Sequence, residues 1–262
     1  MTNISRFVWH DLSSNDVEAA KRFYGELFGW SFEQSGNEPY AHIRAGEQMI
    51  GGIRRKEADE PGPPSWLGYV LVDDVPEAVE RMNAGGGTVY VPTTTMPDVG
   101  TFAVAADPTG GVVAPWRSAR AEENDKASEP AGLHAFCWDE LLTTEPAAAT
   151  GFYTSVFGWD TETQPMGELG DYTLFSRPGV PDPMRDGKPA WAGGLMKSPP
   201  GVPYSFWLAY VLVKDTDATA ERARELGANI TVPPTDIPEV GRICTFMDPE
   251  GAPLALISYP GS

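Results

Sequence analysis

The sequence predicts a two-domain α+β protein in which each half is built from two βαβββ units. Two internal repeats support this fold class. Residues 7–33 return as residues 136–162, without a gap and with 11 of 27 positions identical. The later part of the first half returns at an offset of 141, so that Trp66 matches Trp207 and Asp107 matches Asp248. Because a long repeat marks a recurring structural unit, the 262 residues divide into two domains of about 120 residues.

The first unit of the first half begins with a strand and a helix. Residues 6–12 have the composition of a strand, and residues 16–29 carry apolar side chains at helical spacing. Ser14 or Asn15 is the predicted N-cap of this helix, and Gly29 is its predicted end. Three short strands are predicted to follow, at residues 30–34, 40–44 and 48–54.

The same order restarts after the proline-rich turn at residues 61–64. A strand is predicted at 66–72, a helix at 76–84 with Pro76 in its first turn, and three strands at 88–92, 101–106 and 112–116. The second half repeats these elements, with helices predicted at 145–158, capped by Thr144, and at 217–226. Its main difference is a Pro/Gly-rich insertion at residues 177–192, which we predict to be a long loop, either a lid or a decoration.

The predicted domains are residues 1–116 and residues 132–262. Between them, residues 117–131 are charged or small and contain almost no large apolar side chain. Such a segment cannot bury a core of its own, so it is the predicted linker.

Composition and charge bound the possible partners. The net charge is −18, with 37 acidic against 19 basic residues, which disfavours nucleic acid and anionic membranes and favours a neutral or cationic ligand, although the acidic surface could instead serve only to keep the protein in solution. No apolar run approaches the ~20 residues of a membrane span, and the N-terminal residues lack the features of a signal peptide, so we expect a cytoplasmic protein. Cys137 and Cys244 fall in predicted strands, where buried free thiols are expected.

Three motifs resemble the vicinal oxygen chelate superfamily, which comprises glyoxalase I, extradiol dioxygenases and fosfomycin- and bleomycin-resistance proteins. They are FY-x-x-x-FGW at residues 23–30 and 152–159, VDDV-x-EA before an AGG helix stop, and D-P-x-G before the last strand of each half. The resemblance covers both halves nearly end to end. It implies that each half curls a mixed sheet into a cup, with helices outside and the ligand within.

The resemblance also implies a divalent metal held by His, Glu or Gln side chains from four strands, and this chain lacks those donors. The corresponding positions in the two halves are Trp9 and Trp138, Gly52 and Gly194, Leu67 and Leu208, and Ala114 and Ala255. The histidines, His10, His42 and His134, show no ligand spacing, and we expect His10 and His42 to be structural. We therefore expect no metal site and no cofactor.

Strand alternation predicts which side chains line each cup. The expected lining is Trp9, Asp11, Leu67, Tyr69, Ala114 and Trp116 in the first half, and Trp138, Glu140, Leu208, Tyr210 and Ala255 in the second. Such a surface has the make-up of a small-molecule pocket. Asp11 and Glu140 are the candidate catalytic carboxylates, although either could instead be solvated or salt-bridged, and each tryptophan could fill a closed cup.

The leading hypothesis is a metal-independent, sequestration-type protein that binds an aromatic or amphipathic small molecule. Its fused domains would mimic the dimer of bleomycin-resistance proteins, as a monomer or as a homodimer. The alternative is a glyoxalase- or dioxygenase-like enzyme, a lyase, isomerase or oxygenase, with a relocated metal or with Asp11 or Glu140 as base. A third possibility is an interaction protein whose cups are filled by their own side chains.

Overall fold

The structure is a computed structural model that describes residues 5–34, 36, 39–60, 62–125, 131–167, 170–182 and 185–259. The first half contains strands β1 (Phe7–Ser14), β2 (Ser31–Gln34), β3 (Tyr40–Ala45), β4 (Gln48–Arg55), β5 (Ser65–Leu71), β6 (Thr88–Met96), β7 (Gly100–Ala106) and β8 (Val112–Ser118). Its helices are α1 (Val17–Phe28), α2 (Val75–Ala84) and the short α3 (Ala121–Asp125).

The second half contains strands β9 (Phe136–Thr143), β10 (Asp160–Pro165), β11 (Asp171–Pro181), β12 (Pro189–Lys197), β13 (Phe206–Leu212), β14 (Asn229–Ile237), β15 (Gly241–Met247) and β16 (Pro253–Ser258). Its helices are α4 (Pro146–Phe157) and α5 (Thr216–Glu225). None of the described helices is long and apolar enough to cross a membrane.

The predicted fold class is confirmed. Each half forms one eight-stranded sheet, in the order β2-β3-β4-β1-β5-β8-β7-β6 and β10-β11-β12-β9-β13-β16-β15-β14. The pairs β1–β4 and β5–β8 are parallel, whereas β2–β3, β3–β4, β6–β7 and β7–β8 are antiparallel, so the sheet is mixed. This order is two βαβββ units placed side by side, as the repeats predict.

The chain separates into two compact units, and each unit takes segments from both halves. The α1–α5 unit consists of Trp9–Leu67, Pro130–Trp138 and Leu208–Ser262. The α2–α4 unit consists of Met1–Val8, Gly68–Glu129 and Asp139–Trp207. The predicted boundaries 1–116 and 132–262 follow the sequence repeat, whereas each compact unit combines segments of both halves.

The core of the α1–α5 unit explains the FY-x-x-x-FGW motif. One face of α1 buries Phe23, Tyr24 and Phe28, and Gly29 then adopts a φ of 70°, which turns the chain so that Trp30 stacks on Tyr24 at 5.4 Å. A left-handed conformation at this position favours glycine. This core also buries second-half side chains, among them Ala220, Ala223, Phe246 and Leu256.

The D-P-x-G turn is the partner of that motif within the same unit. Tyr24 Oη donates a hydrogen bond to Asp248 Oδ2 at 2.9 Å and accepts one from Trp66 Nε1 at 3.1 Å. Asp248 Oδ1 accepts the backbone amides of Glu250 and Ala252, both at 2.9 Å. Burial, above all, raises the pKa of the Asp248 carboxyl. The two motifs therefore meet across the chain and satisfy each other's buried polar atoms.

The core of the α2–α4 unit repeats this arrangement. Trp207 Nε1 donates to Tyr153 Oη at 2.8 Å, and Tyr153 Oη donates to the carbonyl of Gly111 at 3.3 Å. Tyr153 is fully buried and stacks on Trp159 at 6.0 Å. Met82 of α2 and Val113 of β8 complete the same cluster, so this core also draws on both halves.

Both predicted caps of the long helices are wrong. Asp16, and neither Ser14 nor Asn15, is the N-cap of α1, because its side chain accepts the amide of Ala19 at 3.0 Å. In α4 the N-cap position is Glu145 rather than Thr144, and it makes no capping hydrogen bond. Pro146 occupies the first turn there, where a missing N–H costs nothing.

The prediction of a long loop at residues 177–192 is also wrong. Strand β11 continues to Pro181 and β12 begins at Pro189, so most of the insertion lengthens a β-hairpin, with Arg177 opposite Ala190. The guanidinium of Arg185 lies 3.5 Å from the ring centre of Trp191 and stabilises the turn. Proline is compatible with strand ends, so its abundance misled the loop prediction. Residues 183 and 184 lie outside the described residues.

The predicted linker is partly ordered. Residues 121–125 form α3, and the buried Asn124 exchanges hydrogen bonds with the backbone of Ser118, to its N–H at 3.0 Å and its carbonyl at 3.0 Å. Residues 126–130 lie outside the described residues. Both cysteines lie in strands and neither forms a disulfide, as expected, although Cys137 is half-buried and only Cys244 is fully buried.

Candidate functional site

Trp9, Asp11 and Tyr40 form a closed ring of hydrogen bonds in the α1–α5 unit. Trp9 Nε1 donates to Asp11 Oδ1 at 2.8 Å and to Tyr40 Oη at 3.0 Å, and Tyr40 Oη donates to Asp11 Oδ1 at 2.8 Å. Asp11 is only 8% exposed, whereas the two aromatic residues are half-buried. The polar atoms of both aromatic side chains are therefore directed at one buried carboxylate, and the two side chains remain partly exposed.

Gly52 makes this ring possible. It pairs with Asp11 of β1 and with His42 of β3, so it lies in the middle of three neighbouring strands. A Cβ atom at Gly52 would lie 1.8 Å from Tyr40 Oη and 2.5 Å from Asp11 Oδ1. Because no side chain fits there, Tyr40 reaches across β4 to the carboxylate. Burial, and next the charge of Asp11, raise the pKa of the Tyr40 hydroxyl well above its ordinary value, so it remains a hydrogen-bond donor at neutral pH.

His42 lies beside this ring on the same face of the sheet. Its imidazole packs edge to face against Trp9, with ring centres 5.9 Å apart, and against Tyr40, at 5.4 Å. It is half-buried, and no described residue makes a hydrogen bond to its side chain. Trp9, Asp11, Tyr40, His42 and Gly52 are called the first-half site below.

The α2–α4 unit contains the equivalent positions. Gly194 pairs with Glu140 of β9 and with Leu174 of β11. A Cβ atom at Gly194 would lie 2.0 Å from Tyr172 Oη, so this tyrosine also crosses a glycine towards a carboxylate residue, and Glu140 is 8% exposed. Leu174 takes the position that His42 holds in the first half. Glu140, Tyr172, Leu174 and Gly194 are called the second-half site.

The other predicted lining residues divide by exposure. Tyr69 and Trp116 are half-buried and pack edge to face at 6.1 Å, with Phe102 at 6.4 Å from Tyr69. Leu67 and Trp138 are also half-buried. The remaining residues are closed to solvent, namely Ala114 at 0%, Leu208 at 3%, Tyr210 at 4% and Ala255 at 0%. The first half therefore offers more open aromatic surface than the second.

Sequence reasoning missed three members of the first-half site, namely Tyr40, His42 and Gly52. The match of Tyr40 with Tyr172 was visible in the sequence but is equally typical of core packing. His42 was expected to be a satisfied structural histidine, as was His10. His10 is indeed buried, and its ring stacks on Phe136 at 4.1 Å, whereas His42 makes no hydrogen bond to a described residue.

The residues present do not fit a divalent metal. The strand positions that carry ligands in the family hold Trp9, Gly52, Leu67 and Ala114 here, and none of these side chains is a donor for a hard or borderline cation. Within the described part of the chain, no group of three or more His, Cys, Asp or Glu side chains could hold an ion. The hydrogen-bonded ring around Asp11 occupies this region instead, because Trp9 belongs to the ring and Gly52 lies against it.

Two mixed sheets, each composed of two βαβββ units, define a paired βαβββ protein. The chain belongs to the Glyoxalase/Bleomycin resistance protein/Dioxygenase superfamily, whose family model matches residues 5–114 and 133–256. This is the superfamily that the sequence motifs resemble, so that recognition is confirmed.

Relatives and solved structures agree with this assignment. A Mycobacterium bovis protein named "Putative glyoxylase CFP32" is 34% identical over 251 residues, which cover 93% of this chain and 91% of that protein. "Anthracycline biosynthesis protein DauV" of Streptomyces sp. (strain C5) is 28% identical over 281 residues, covering 97% and 94%. The Mn(II)-bound glyoxalase from Novosphingobium aromaticivorans has a TM-score of 0.63 at 15% identity, covering 98% of this chain and 83% of that one, and it shows the shared fold.

Proposed function

We propose that the protein is a metal-independent small-molecule-binding member of this superfamily. The ligand is aromatic or amphipathic, neutral or cationic, and it lies against the ring faces of Trp9, Tyr40 and His42. The observation that carries the proposal is the arrangement of these three half-buried rings around Gly52, with the polar atoms of Trp9 and Tyr40 already bonded to Asp11. A surface of partly exposed aromatic rings whose polar atoms are already bonded binds a ligand through apolar contact and stacking.

Two further observations support the chemistry of the ligand. The net charge of −18 attracts cations and disfavours anions. One relative is named for anthracycline biosynthesis, and anthracyclines are planar, amphipathic molecules with an amino sugar. A cationic anthracycline such as daunorubicin is therefore the first ligand to test.

Quenching of daunorubicin fluorescence tests the proposal directly. We expect binding by protein dialysed against a chelator, and a loss of about tenfold or more in affinity in Trp9→Ala, since an aromatic contact of roughly 1.5 kcal/mol or more would be removed. Tyr204→Ala is the matched control, because Tyr204 is a surface aromatic residue with 53% exposure. Unchanged binding by Trp9→Ala, or a stoichiometric transition metal found by elemental analysis of untreated protein, would overturn the proposal.

The second candidate function is a glyoxalase- or dioxygenase-like enzyme, a lyase, isomerase or oxygenase that uses a carboxylate base. It is favoured by the burial of Asp11 beside the Tyr40 hydroxyl and by a relative that carries the name glyoxylase. Mass spectrometry of a bound ligand after prolonged incubation separates the two. Unchanged ligand supports the binding protein, whereas a product that disappears in Asp11→Asn and Glu140→Gln supports the enzyme.

A further inference from the structure

We infer that His42 recognises an oxygen substituent on the aromatic ligand and so determines the specificity of the first-half site. This inference rests on the proposed function and deepens it, because it narrows the ligand class to oxygenated aromatics such as aryl ethers, phenols and quinones. The inference depends on three features of the site. His42 packs edge to face against two aromatic rings, the neighbouring hydrogen-bond donors already have acceptors, and a different residue takes the place of His42 in the second half.

The imidazole of His42 is held in place by apolar contacts. Trp9 and Tyr40 pack against it at interplanar angles of 81° and 86°, and no hydrogen bond to a described residue holds its nitrogen atoms. An imidazole carries at least one N–H in either protonation state. A half-buried donor of this kind needs water or a ligand, because leaving it unbonded costs free energy when the site is covered.

The neighbouring donors already have acceptors. The N–H of Trp9 and the hydroxyl of Tyr40 are directed at Asp11. On the same two strands, Arg54 of β4 binds both oxygens of Glu60 at 2.7 and 2.9 Å, and Arg44 of β3 donates to the carbonyl of Glu47 at 2.5 Å. An acceptor oxygen that enters between the three rings therefore meets the imidazole of His42 as its donor.

The second half provides an internal comparison. His42 is opposite Gly52, and Leu174 is opposite Gly194, in the same register with the same tyrosine two residues before each. The duplicated site thus has an imidazole in one copy and an isobutyl group in the other. Leu174 cannot donate a hydrogen bond, so the oxygen preference belongs to the first-half site alone.

A pair of probes of matched shape tests the inference. 2-Methoxynaphthalene carries an acceptor oxygen where 2-ethylnaphthalene carries a methylene, and both can be measured by displacement of daunorubicin. In the wild-type protein we expect the methoxy compound to bind about fivefold more tightly, since one hydrogen bond contributes about 1 kcal/mol. His42→Leu copies the second half and should lower the affinity for the methoxy compound about fivefold while leaving the ethyl compound unchanged. His42→Gln, which retains an N–H donor, should keep most of the preference.

The outcomes separate the two proposals. If His42→Leu retains the preference for the methoxy compound, or weakens both probes equally, the inference is wrong while the proposed function stands, provided that Trp9→Ala still lowers the affinity for daunorubicin about tenfold or more. If the folded wild-type protein binds neither probe nor daunorubicin, both proposals are wrong. His42→Gln guards against a folding defect in His42→Leu, because a preference lost in the folded His42→Gln protein also contradicts a donor role.

Discussion

Gly52 shows how one small residue determines the geometry of a site. Its neighbours, Tyr40 and Asp11, occupy the space that a Cβ atom would need. A larger residue there must displace the Tyr40 hydroxyl from the carboxylate, which breaks two of the three hydrogen bonds in the ring. The ring of hydrogen bonds therefore requires a residue without a side chain at position 52.

We predict that Gly52→Ala lowers the free energy of unfolding by about 1–3 kcal/mol, the usual cost of overpacking. Urea unfolding followed by fluorescence measures it. Gly151→Ala is the control, because Gly151 is an exposed position within α4 with open space around it, and alanine there should stabilise the protein by about 0.5–1 kcal/mol. Equal stability of Gly52→Ala and the wild type would contradict the geometry described for Tyr40.

The buried tyrosines predict a loss of stability at alkaline pH. Burial raises the pKa of Tyr24, Tyr40 and Tyr153 above the ordinary value of 10.0. The unfolded chain therefore releases these protons near pH 10 while the folded protein keeps them, so stability is fully present below pH 10 and falls as the pH rises further. Each tyrosine contributes a slope of up to about 1.4 kcal/mol per pH unit.

Tyr40→Phe tests the contribution of one of these residues. Its free energy of unfolding should decrease less steeply than that of the wild type between pH 10 and 11, by up to about 1.4 kcal/mol per unit. The comparison uses slopes, so the constant cost of losing the bond to Asp11 does not interfere. Parallel curves for the two proteins would show that Tyr40 ionises normally in the folded state.

Among the elements, a comparison of helices α1 and α4 measures how much an N-cap hydrogen bond contributes to stability. Both occupy the same place in the repeat, but only Asp16 bonds the first turn of its helix, whereas Glu145 does not. We predict that Asp16→Ala costs about 0.5–2 kcal/mol of stability and that Glu145→Ala costs less than about 0.5 kcal/mol. Chemical denaturation of both variants checks this. A cost for Glu145→Ala that equals the cost for Asp16→Ala would refute the assigned cap.

The sequence predicted the elements well and their ends less well. The helix of the FY-x-x-x-FGW motif was predictable because its apolar positions repeat with helical spacing and a glycine ends it. The N-cap of this helix was not predictable, because Ser14, Asn15 and Asp16 can all cap a helix. Only the path of the chain before the helix determines which of them does so. Within β1, the alternation of side chains correctly placed Trp9 and Asp11 on one face of the strand and His10 on the other. Leu12, which is fully buried, shares the face of His10.

The arrangement of the first-half site could not be predicted from the local sequence around each of its residues. Asp11 meets Tyr40 because β3, β4 and β1 are paired in one register, with Gly52 between them. That register depends on turn geometry and on the parallel pairing of β1 with β4, which a period-two pattern does not encode. For this reason Trp9 and Asp11 were expected to share a face, while Tyr40 and His42 were not expected beside them.

At the scale of the whole molecule, each hydrophobic core draws on both repeats. Tyr24 and Trp66 of the first half share a cluster with Phe246 and Leu256 of the second, and Met82 shares another with Trp207. We predict that neither residues 1–131 nor residues 132–262 fold alone as a monomer, because each fragment retains only part of each core. Mixing the fragments should restore the circular dichroism of the intact protein.

Sedimentation and thermal melts of the separate fragments check this prediction. A monomeric fragment that unfolds cooperatively would show that one repeat suffices for folding, and would support independent domains at 1–116 and 132–262. The repeats alone could not distinguish these outcomes, because duplication of a unit does not determine which copies share a core.

The shared cores also set an order of assembly. In the α2–α4 unit, the hydrogen bond of the buried Tyr153 joins two residues that are 42 positions apart in the chain. In the α1–α5 unit, the hydrogen bond of the buried Tyr24 joins two residues that are 224 positions apart. By loop-closure entropy the longer connection costs about 1.5 kcal/mol more. On the ribosome, α1 is made early but must wait for the turn at Asp248, so its apolar face stays exposed through most of synthesis. In pulse-labelled hydrogen exchange we expect the amides of α4 to be protected before those of α1, and the reverse order would contradict this sequence of events.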